Sequence, residues 1–140
     1  MYLVDTDVLS ELRKAKRNPN VVGWIEEVAP TDLHLSVVTV FEIEFGIEQQ
    51  RRDDPAFAKR LETWLGDTLR FYGERVLPLT TNIAQRWGRL AIKVGHKELD
   101  LALAATALEH GLTVATRNVA HYAPTGVPFV NPFEAKTRRR

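Results

Sequence analysis

The sequence predicts an α/β sandwich with a mainly parallel central sheet. Short apolar segments typical of buried strands recur along the chain, and helical patterns separate them. Strands that alternate with helices form parallel sheets covered by helices. The length of 140 residues fits one domain with one layered core.

The first half of the chain alternates regularly between strand and helix. Residues 2–4 form the first predicted strand, and Asp7 is placed to cap the helix that follows. A second helix is expected from about residue 20, ended by Pro30, because proline interrupts helical hydrogen bonding. Apolar and polar residues alternate over 33–37, which predicts a second strand. Helical spacing of apolar residues then predicts a helix over 39–50.

The second half continues the alternation. Pro55 favours the start of a long amphipathic helix, and Gly111 favours the end of an alanine-rich one. The predicted elements are a helix over 55–72, a strand over 75–77, helices over 82–94 and 100–109, and strands over 113–115 and 127–130.

The composition is that of an ordinary globular domain, with 44% hydrophobic and 26% charged residues. The absence of cysteine excludes disulfides and thiolate metal sites, and is compatible with a reducing compartment. No apolar run approaches the roughly 18 residues of a membrane span, and Met1 leads directly into a strand instead of a signal peptide. We therefore expect a cytoplasmic protein without membrane contact.

The formal net charge is only +1, so local basic clusters would have to hold any nucleic acid. Residues 134–140 are expected to form a loose basic tail after a domain of residues 1–133. The candidate clusters are Arg51 with Arg52, the helical stripe of Arg86, Arg89 and Lys93, Arg117, and the terminal Arg138, Arg139 and Arg140.

Three carboxylates lie beside regular elements in otherwise apolar surroundings. Asp5 follows the first strand, Glu42 lies between Phe41 and Ile43, and Asp100 opens the alanine-rich helix. Converging buried carboxylates repel each other, so they require raised pKa values, basic partners or a cation. Hard oxygen ligands select Mg²⁺ or Mn²⁺.

Each acid taken alone has a simpler explanation. Asp5 or Asp7 can cap a helix, Glu42 can be a solvated helix residue, and Asp100 can be the N-cap of its own helix. The three together favour a shared site, because sites in parallel sheets form at the carboxyl ends of strands. Asp5 and the turn after residues 113–115 are expected at that edge, because each follows a predicted strand.

Four motifs in order resemble those of one nuclease family. They are LVDTDVLSEL at 3–12, SVVTVFEIEFGI at 36–47, DLALAATA at 100–107, and VATRN at 114–118 followed by NPF at 131–133. The chain resembles PIN-domain ribonucleases over nearly its whole length, and more narrowly the VapC-type toxins of type II toxin-antitoxin systems, close to the FitB-like branch. The resemblance implies a three-layer α/β/α sandwich and a metal-dependent endoribonuclease. It also implies an RNA substrate, a homodimer, and a small VapB-like antitoxin that can join it in a hetero-oligomer.

The resemblance also assigns roles to individual residues. Asp5, Glu42 and Asp100 match the metal-binding acids of the family, and Thr6 and Thr116 match positions where a hydroxyl supports the site. One Mg²⁺ or Mn²⁺ ion, or two about 4 Å apart, would lower the pKa of a bound water and neutralise charge at the scissile phosphate.

The turn after residues 113–115 departs from the family pattern, which commonly places a fourth acid there. Asn118 can offer a neutral oxygen to a metal, and His121 can donate a hydrogen bond, act as an imperfect ligand or contact a phosphate. Arg117 is expected to orient the RNA strand. A second metal ion would be weakly held, and operation with one ion is compatible with this turn.

Two other functions stay open. The segment from Asp5 to Val8 also resembles the Asp-x-Asp motif of haloacid-dehalogenase phosphatases, in which the first acid is a nucleophile. The short chain and the absence of the expected downstream lysine and acidic pair count against that function. A catalytically silent RNA-binding or regulatory domain is the other alternative, and the missing fourth acid is its support.

Overall fold

The computed structural model describes residues 1–135. Its strands are β1 (Tyr2–Val4), β2 (Leu33–Ser36), β3 (Val76–Leu77), β4 (Thr113–Ala115) and β5 (Phe129–Val130). Its α-helices are α1 (Thr6–Arg13), α2 (Pro19–Glu27), α3 (Val37–Asp53), α4 (Pro55–Tyr72), α5 (Thr81–Val94), α6 (Leu99–His110) and α7 (Val119–Tyr122). Short 3₁₀ helices span Pro30–Asp32, Gly73–Arg75 and Ala123–Thr125.

The strands of the described chain form one parallel sheet in the order β3-β2-β1-β4-β5. The first strand is central, and Leu3 pairs with His34 on one side and with Val114 on the other. The chain builds outward through β2 and β3, then returns to the other side of β1. Parallel sheets open a crevice at such a point of reversal. The predicted α/β fold with a parallel sheet is confirmed.

Helices cover both faces of the sheet, which gives the three layers of an α/β/α sandwich. Leu3 and Val4 are fully buried and point into opposite cores because strand side chains alternate between faces. Leu3 belongs to the core formed largely by α5 and α6. Val4 belongs to the core formed with α1, α2, α3 and α4.

Helix α6 is buried on all sides along most of its length. Residues 101–107 are all buried, and the alanines among them let neighbouring elements approach closely. The helix contacts β1, β4, α3 and α5. Its first turn, which carries Asp100, is thereby brought to the edge of the sheet. Gly111 ends the helix in a left-handed conformation, as predicted.

Two helices begin earlier than predicted because side chains cap their N-termini. Asp5 is the N-cap of α1, and its carboxylate accepts the Thr6 N–H at 2.8 Å. The predicted cap at Asp7 is therefore wrong, because Asp7 lies inside the first turn. The Ser36 hydroxyl accepts the N–H of Val38 at 3.0 Å, so α3 begins two residues earlier than predicted and β2 ends there.

Four further features differ from the predicted elements or from the alternatives considered for them. Helix α2 ends at Glu27, not next to Pro30, because residues 30–32 form a 3₁₀ turn. The N-cap position of α6 belongs to Glu98, so Asp100 is not a cap. The last strand begins at residue 129 instead of 127, and the segment after Asn118, expected as a loop, contains α7.

No helix of residues 1–135 is both long enough and apolar enough to cross a membrane. The predicted basic tail of residues 134–140 falls mostly outside the described residues, as does the terminal arginine cluster.

Candidate active site

The carboxyl ends of β1 and β4 lie side by side at the point where the strand order reverses. Asp5 follows β1 and Thr116 follows β4, and the Asp5 N–H donates to the carbonyl of Ala115 at 2.9 Å. The fold therefore joins the two segments that were predicted to share this edge.

Asp5 is held by three hydrogen bonds. Its Oδ1 accepts the Thr6 N–H at 2.8 Å, and its Oδ2 accepts the hydroxyls of Thr116 at 2.8 Å and Tyr122 at 3.1 Å. The residue is 8% exposed. Burial raises the pKa of Asp5 above its ordinary value, the three hydrogen bonds oppose that rise, and the negative charge of Asp100 adds to it.

A cavity of about 300 Å³ opens beside Asp5. We call it the acidic cavity, because four of its lining residues carry carboxylates and none is a lysine or arginine. All four residues predicted from sequence as metal ligands, Asp5, Glu42, Asp100 and Asn118, line this cavity, as does His121. The complete lining consists of Asp5, Glu42, Glu98, Leu99, Asp100, Leu103, Asn118 and His121.

Glu42 reaches the acidic cavity from α3 and is half-buried. Its Oε1 accepts the hydroxyl of Thr6 at 2.8 Å. Thr6 therefore binds two of the three acids, Asp5 through its backbone and Glu42 through its side chain. Burial raises the pKa of Glu42, the charges of Asp5 and Asp100 add to the rise, and the Thr6 hydrogen bond opposes it.

Asp100 reaches the cavity from the first turn of α6. Its Oδ2 lies 3.3 Å from Nδ1 of His121, whose side chain is 61% exposed. Its Oδ1 is buried and has no hydrogen-bond partner among residues 1–135. A buried carboxylate oxygen without a donor, close to two other acids, indicates that a donor or cation completes the site.

The side chains that line the cavity offer the oxygen ligands that a hard divalent cation prefers. The charged groups that line it are carboxylates, with one imidazole, and one buried oxygen lacks a partner. However, no three Asp, Glu or His side chains of the described residues are grouped so that they could hold a metal ion. Mg²⁺ usually keeps several waters and takes one or two protein carboxylates together with substrate phosphates. The residues therefore fit an ion held by one or two acids, not a closed cage of three.

Asp7 fastens the turn after β4 to helix α1. Its Oδ2 accepts the Arg117 N–H at 2.9 Å and the Asn118 side-chain amide at 3.4 Å. The Thr116 hydroxyl oxygen accepts the Asn118 N–H at 3.0 Å within the turn. Burial, with a contribution from the charge of Asp5, raises the pKa of Asp7 to about 6.

Arg117 is exposed and does not line the acidic cavity. Its guanidinium lies 4.0 Å from the ring centroid of Phe133, and the carbonyl of Phe133 accepts the Asn20 side-chain amide at 2.9 Å. The contact of Arg117 with RNA stays a prediction. Arg117 would make this contact from beside the acidic cavity, not from inside it.

Two of the predicted basic clusters are engaged in ion pairs. Arg51 lies 2.9 Å from Glu48 and 2.8 Å from Glu62, and Arg86 lies 3.1 Å from Glu109. These partners reduce the local positive charge that either cluster offers to a nucleic acid.

Three residues of this region were not identified from the sequence. Tyr122 contacts Asp5 across 117 residues, and no periodic pattern marks such a contact. Asp7 was considered as a helix cap and as part of the alternative Asp-x-Asp motif, not as a residue that holds the turn after β4. Glu98 lines the cavity two residues before Asp100, and this spacing was the available signal.

The comparisons with known proteins agree with this geometry. The profile of the PIN domain family matches residues 2–124. The chain is 35% identical to the VapC ribonuclease Y4jK of Sinorhizobium fredii (strain NBRC 101917 / NGR234), over 96% of this chain and 99% of that protein. It is 31% identical to the toxin FitB of Neisseria gonorrhoeae (strain ATCC 700825 / FA 1090), over 95% of this chain and 99% of that protein.

A solved structure shares the fold over the same extent. In the structure of FitAB bound to an IR36 DNA fragment, one chain matches with a TM-score of 0.82 and 28% identity, over 99% of this chain and 100% of that chain. The resemblance seen in the four motifs is confirmed by the family profile and by both relatives. The chain therefore belongs to the PIN-domain family, on the branch that includes the VapC ribonuclease and the FitB toxin.

Proposed function

We propose that the protein is a Mg²⁺- or Mn²⁺-dependent endoribonuclease and the toxin of a type II toxin-antitoxin pair. The observation that carries the proposal is the acidic cavity, in which Asp5, Glu42 and Asp100 converge from three distant parts of a PIN-family chain. A phosphodiester is an anion and is repelled by these carboxylates. A cation held by these acids would remove that repulsion, and the unpartnered buried oxygen of Asp100 is one of the atoms that would hold it.

The acids and their supports have separate tasks in this proposal. Asp5, Glu42 and Asp100 line the cation site, and one or two of them would bind the ion directly. The bound ion would lower the pKa of a water molecule and neutralise charge at the phosphate. The hydroxyl of Thr6 fixes Glu42, and that of Thr116 fixes Asp5. These hydrogen bonds keep the carboxylates oriented before the substrate arrives.

The segment after β4 supplies the residues of the site that are not acids. Asn118 lines the cavity and adds an oxygen ligand without a charge. His121 is exposed, lies next to Asp100, and is placed to contact a phosphate of the RNA. Arg117, beside the cavity, orients the strand through a further phosphate contact.

The partners of the relatives support a toxin assignment. The FitAB neighbour is an assembly bound to DNA, and a curated relative is named as the toxin FitB. We propose that this chain forms a homodimer and is neutralised by a small VapB-like antitoxin that blocks the acidic cavity. Coexpression with the small reading frame next to its gene should restore growth and yield a complex on size-exclusion chromatography. Failure of every neighbouring frame to restore growth would count against the pair.

The nuclease assignment is tested with purified protein and single-stranded RNA. Cleavage is expected with Mg²⁺ or Mn²⁺ and is expected to stop in EDTA. Cleavage that continues undiminished in EDTA would refute the proposed metal dependence. Hydrolysis of a phosphomonoester with intact RNA would indicate the phosphatase alternative. RNA binding without cleavage would indicate the alternative of a catalytically silent RNA-binding domain.

Glu42 offers a sharply controlled variant. Glu42→Gln keeps the acceptor for the Thr6 hydroxyl but removes the charge, so cleavage should fall by about 100-fold or more. Glu44→Gln is the matched control, because Glu44 lies on the same helix and is exposed. It should retain activity and growth inhibition. An equal loss of cleavage in both variants would indicate that the substitutions disturb helix α3 in general and that the Glu42 charge has no specific role.

A further inference from the structure

We propose that Tyr122 is a positioning residue that, together with Thr116, occupies Oδ2 of Asp5 and leaves Oδ1 as the oxygen that Asp5 presents to a divalent cation. The inference rests on the proposed metal-dependent function and adds a residue that lies outside the four motifs.

The ring of Tyr122 is fixed in the interior. Tyr122 is fully buried, at the end of α7, and packs in the core that contains Leu3 and α6. The Thr125 hydroxyl donates to its backbone carbonyl at 2.6 Å, which fixes the main chain there. A buried tyrosine hydroxyl needs a partner, and Asp5 Oδ2 at 3.1 Å supplies it.

Counting acceptor sites on the Asp5 carboxylate shows which oxygen is left. Each carboxylate oxygen accepts about two hydrogen bonds. Oδ2 receives two, from Thr116 and Tyr122, while Oδ1 receives one, from the Thr6 N–H. Within the described chain, Oδ1 is therefore the oxygen with an unused acceptor direction.

The direction of the Thr116 bond supports this count. The Thr116 oxygen already accepts the N–H of Asn118 at 3.0 Å, so its proton is directed to Asp5. Two hydroxyl donors on one oxygen resist rotation of the carboxylate about its bond to the chain. The Tyr122→Phe substitution would keep the ring in the same space but remove one of the two hydroxyl donors to Oδ2 of Asp5.

The first test separates this role from simple packing. Tyr122→Phe should weaken the binding of Mn²⁺ alone by about tenfold, as measured by isothermal titration calorimetry, because outer hydrogen bonds orient metal ligands. Tyr72→Phe is the control: Tyr72 is also buried, but it lies in the opposite core. It should leave Mn²⁺ affinity unchanged. An unchanged affinity in folded Tyr122→Phe, even with reduced thermal stability, would overturn the proposal.

The second test needs no mutation and applies if Tyr122→Phe does not fold. A crystal structure of the wild-type protein with Mn²⁺ should show Asp5 binding through Oδ1 alone, with both hydroxyls still on Oδ2. Binding through Oδ2, or through both oxygens, would overturn the inference. RNA cleavage is assayed separately. A protein that binds Mn²⁺ through Oδ1 but leaves RNA intact would support the role of Tyr122 and refute the nuclease assignment.

Discussion

Asp7 shows how one carboxylate can report on the whole candidate site. Its pKa is raised to about 6 by burial and by the charge of Asp5, above an ordinary value of 3.8. The folded protein therefore binds more protons than the unfolded chain between about pH 4 and 6, so ionised Asp7 lowers stability as pH rises through this window.

Asp7→Asn should remove that dependence. The variant keeps an oxygen that can accept the Arg117 N–H but carries no charge. The difference in melting temperature, variant minus wild type, should increase from pH 4 to pH 7. Circular dichroism melts at several pH values measure it, and a constant difference would show that Asp7 titrates normally.

The turn residues Asn118 and His121 line the acidic cavity but add no carboxylate to it. Asn118→Asp or His121→Asp would supply the acid that the turn lacks, and attraction for a cation grows with ligand charge. Either variant should lower the Mg²⁺ concentration needed for half-maximal cleavage. His121→Ala should instead reduce RNA binding or turnover.

Titration of Mg²⁺ against cleavage rate, for these variants and the wild type, decides the role of the turn. If neither aspartate variant shifts the metal dependence, the turn does not take part in coordination. The contact between His121 and Asp100 makes His121→Asp the more disruptive of the two, since two carboxylates would then face each other.

The three acids could be predicted from sequence because each is a charged residue among apolar residues, next to a strand or within a helix. Their supports could not. The bonds of Asp5 to Thr116 and Tyr122 join residues 111 and 117 positions apart. Thr116 was assigned only through resemblance, and a tyrosine at position 122 has no local feature that distinguishes it from a core residue.

At the scale of elements, the burial of α6 makes a strong prediction about packing. Ala104 is fully buried against neighbouring elements, so Ala104→Leu should destabilise the fold by about 1–3 kcal/mol through overpacking. Ala56→Leu, at an exposed position of α4, should change stability by less than about 0.5 kcal/mol. Urea unfolding of both proteins measures the difference. Equal stabilities would show that space remains beside α6.

The order and type of most elements could be predicted because apolar spacing determines them. Their ends depend on single side chains. The alternation over 33–37 suggested a strand through Val37, but the Ser36 hydroxyl caps α3 first. Helix α7 was missed because four residues are too few to show a helical period.

At the scale of the whole molecule, the cation should act as a stabilising ligand. The pKa values of Asp5 and Glu42 are raised, mainly by burial, so protons compete with a metal ion for these carboxylates as the pH falls. At 100 times its dissociation constant, Mn²⁺ should stabilise the fold by about 2.7 kcal/mol. The rise in melting temperature should be larger at pH 8 than at pH 5.5. A rise that is independent of pH would indicate binding elsewhere.

The central position of β1 has a consequence for the timing of synthesis. A ribosome makes about 5–20 residues per second, so Asp5 is made about 6–23 s before Tyr122, 117 residues later. For most of that interval β4 has not been made, and Asp5 lacks the hydroxyl donors of Thr116 and Tyr122. A nascent chain therefore carries its first acid early but acquires a complete cavity only near the end of translation. Products that stop before β4 lack Thr116, Asn118, His121 and Tyr122, so we expect the proposed activity to require nearly full-length chains.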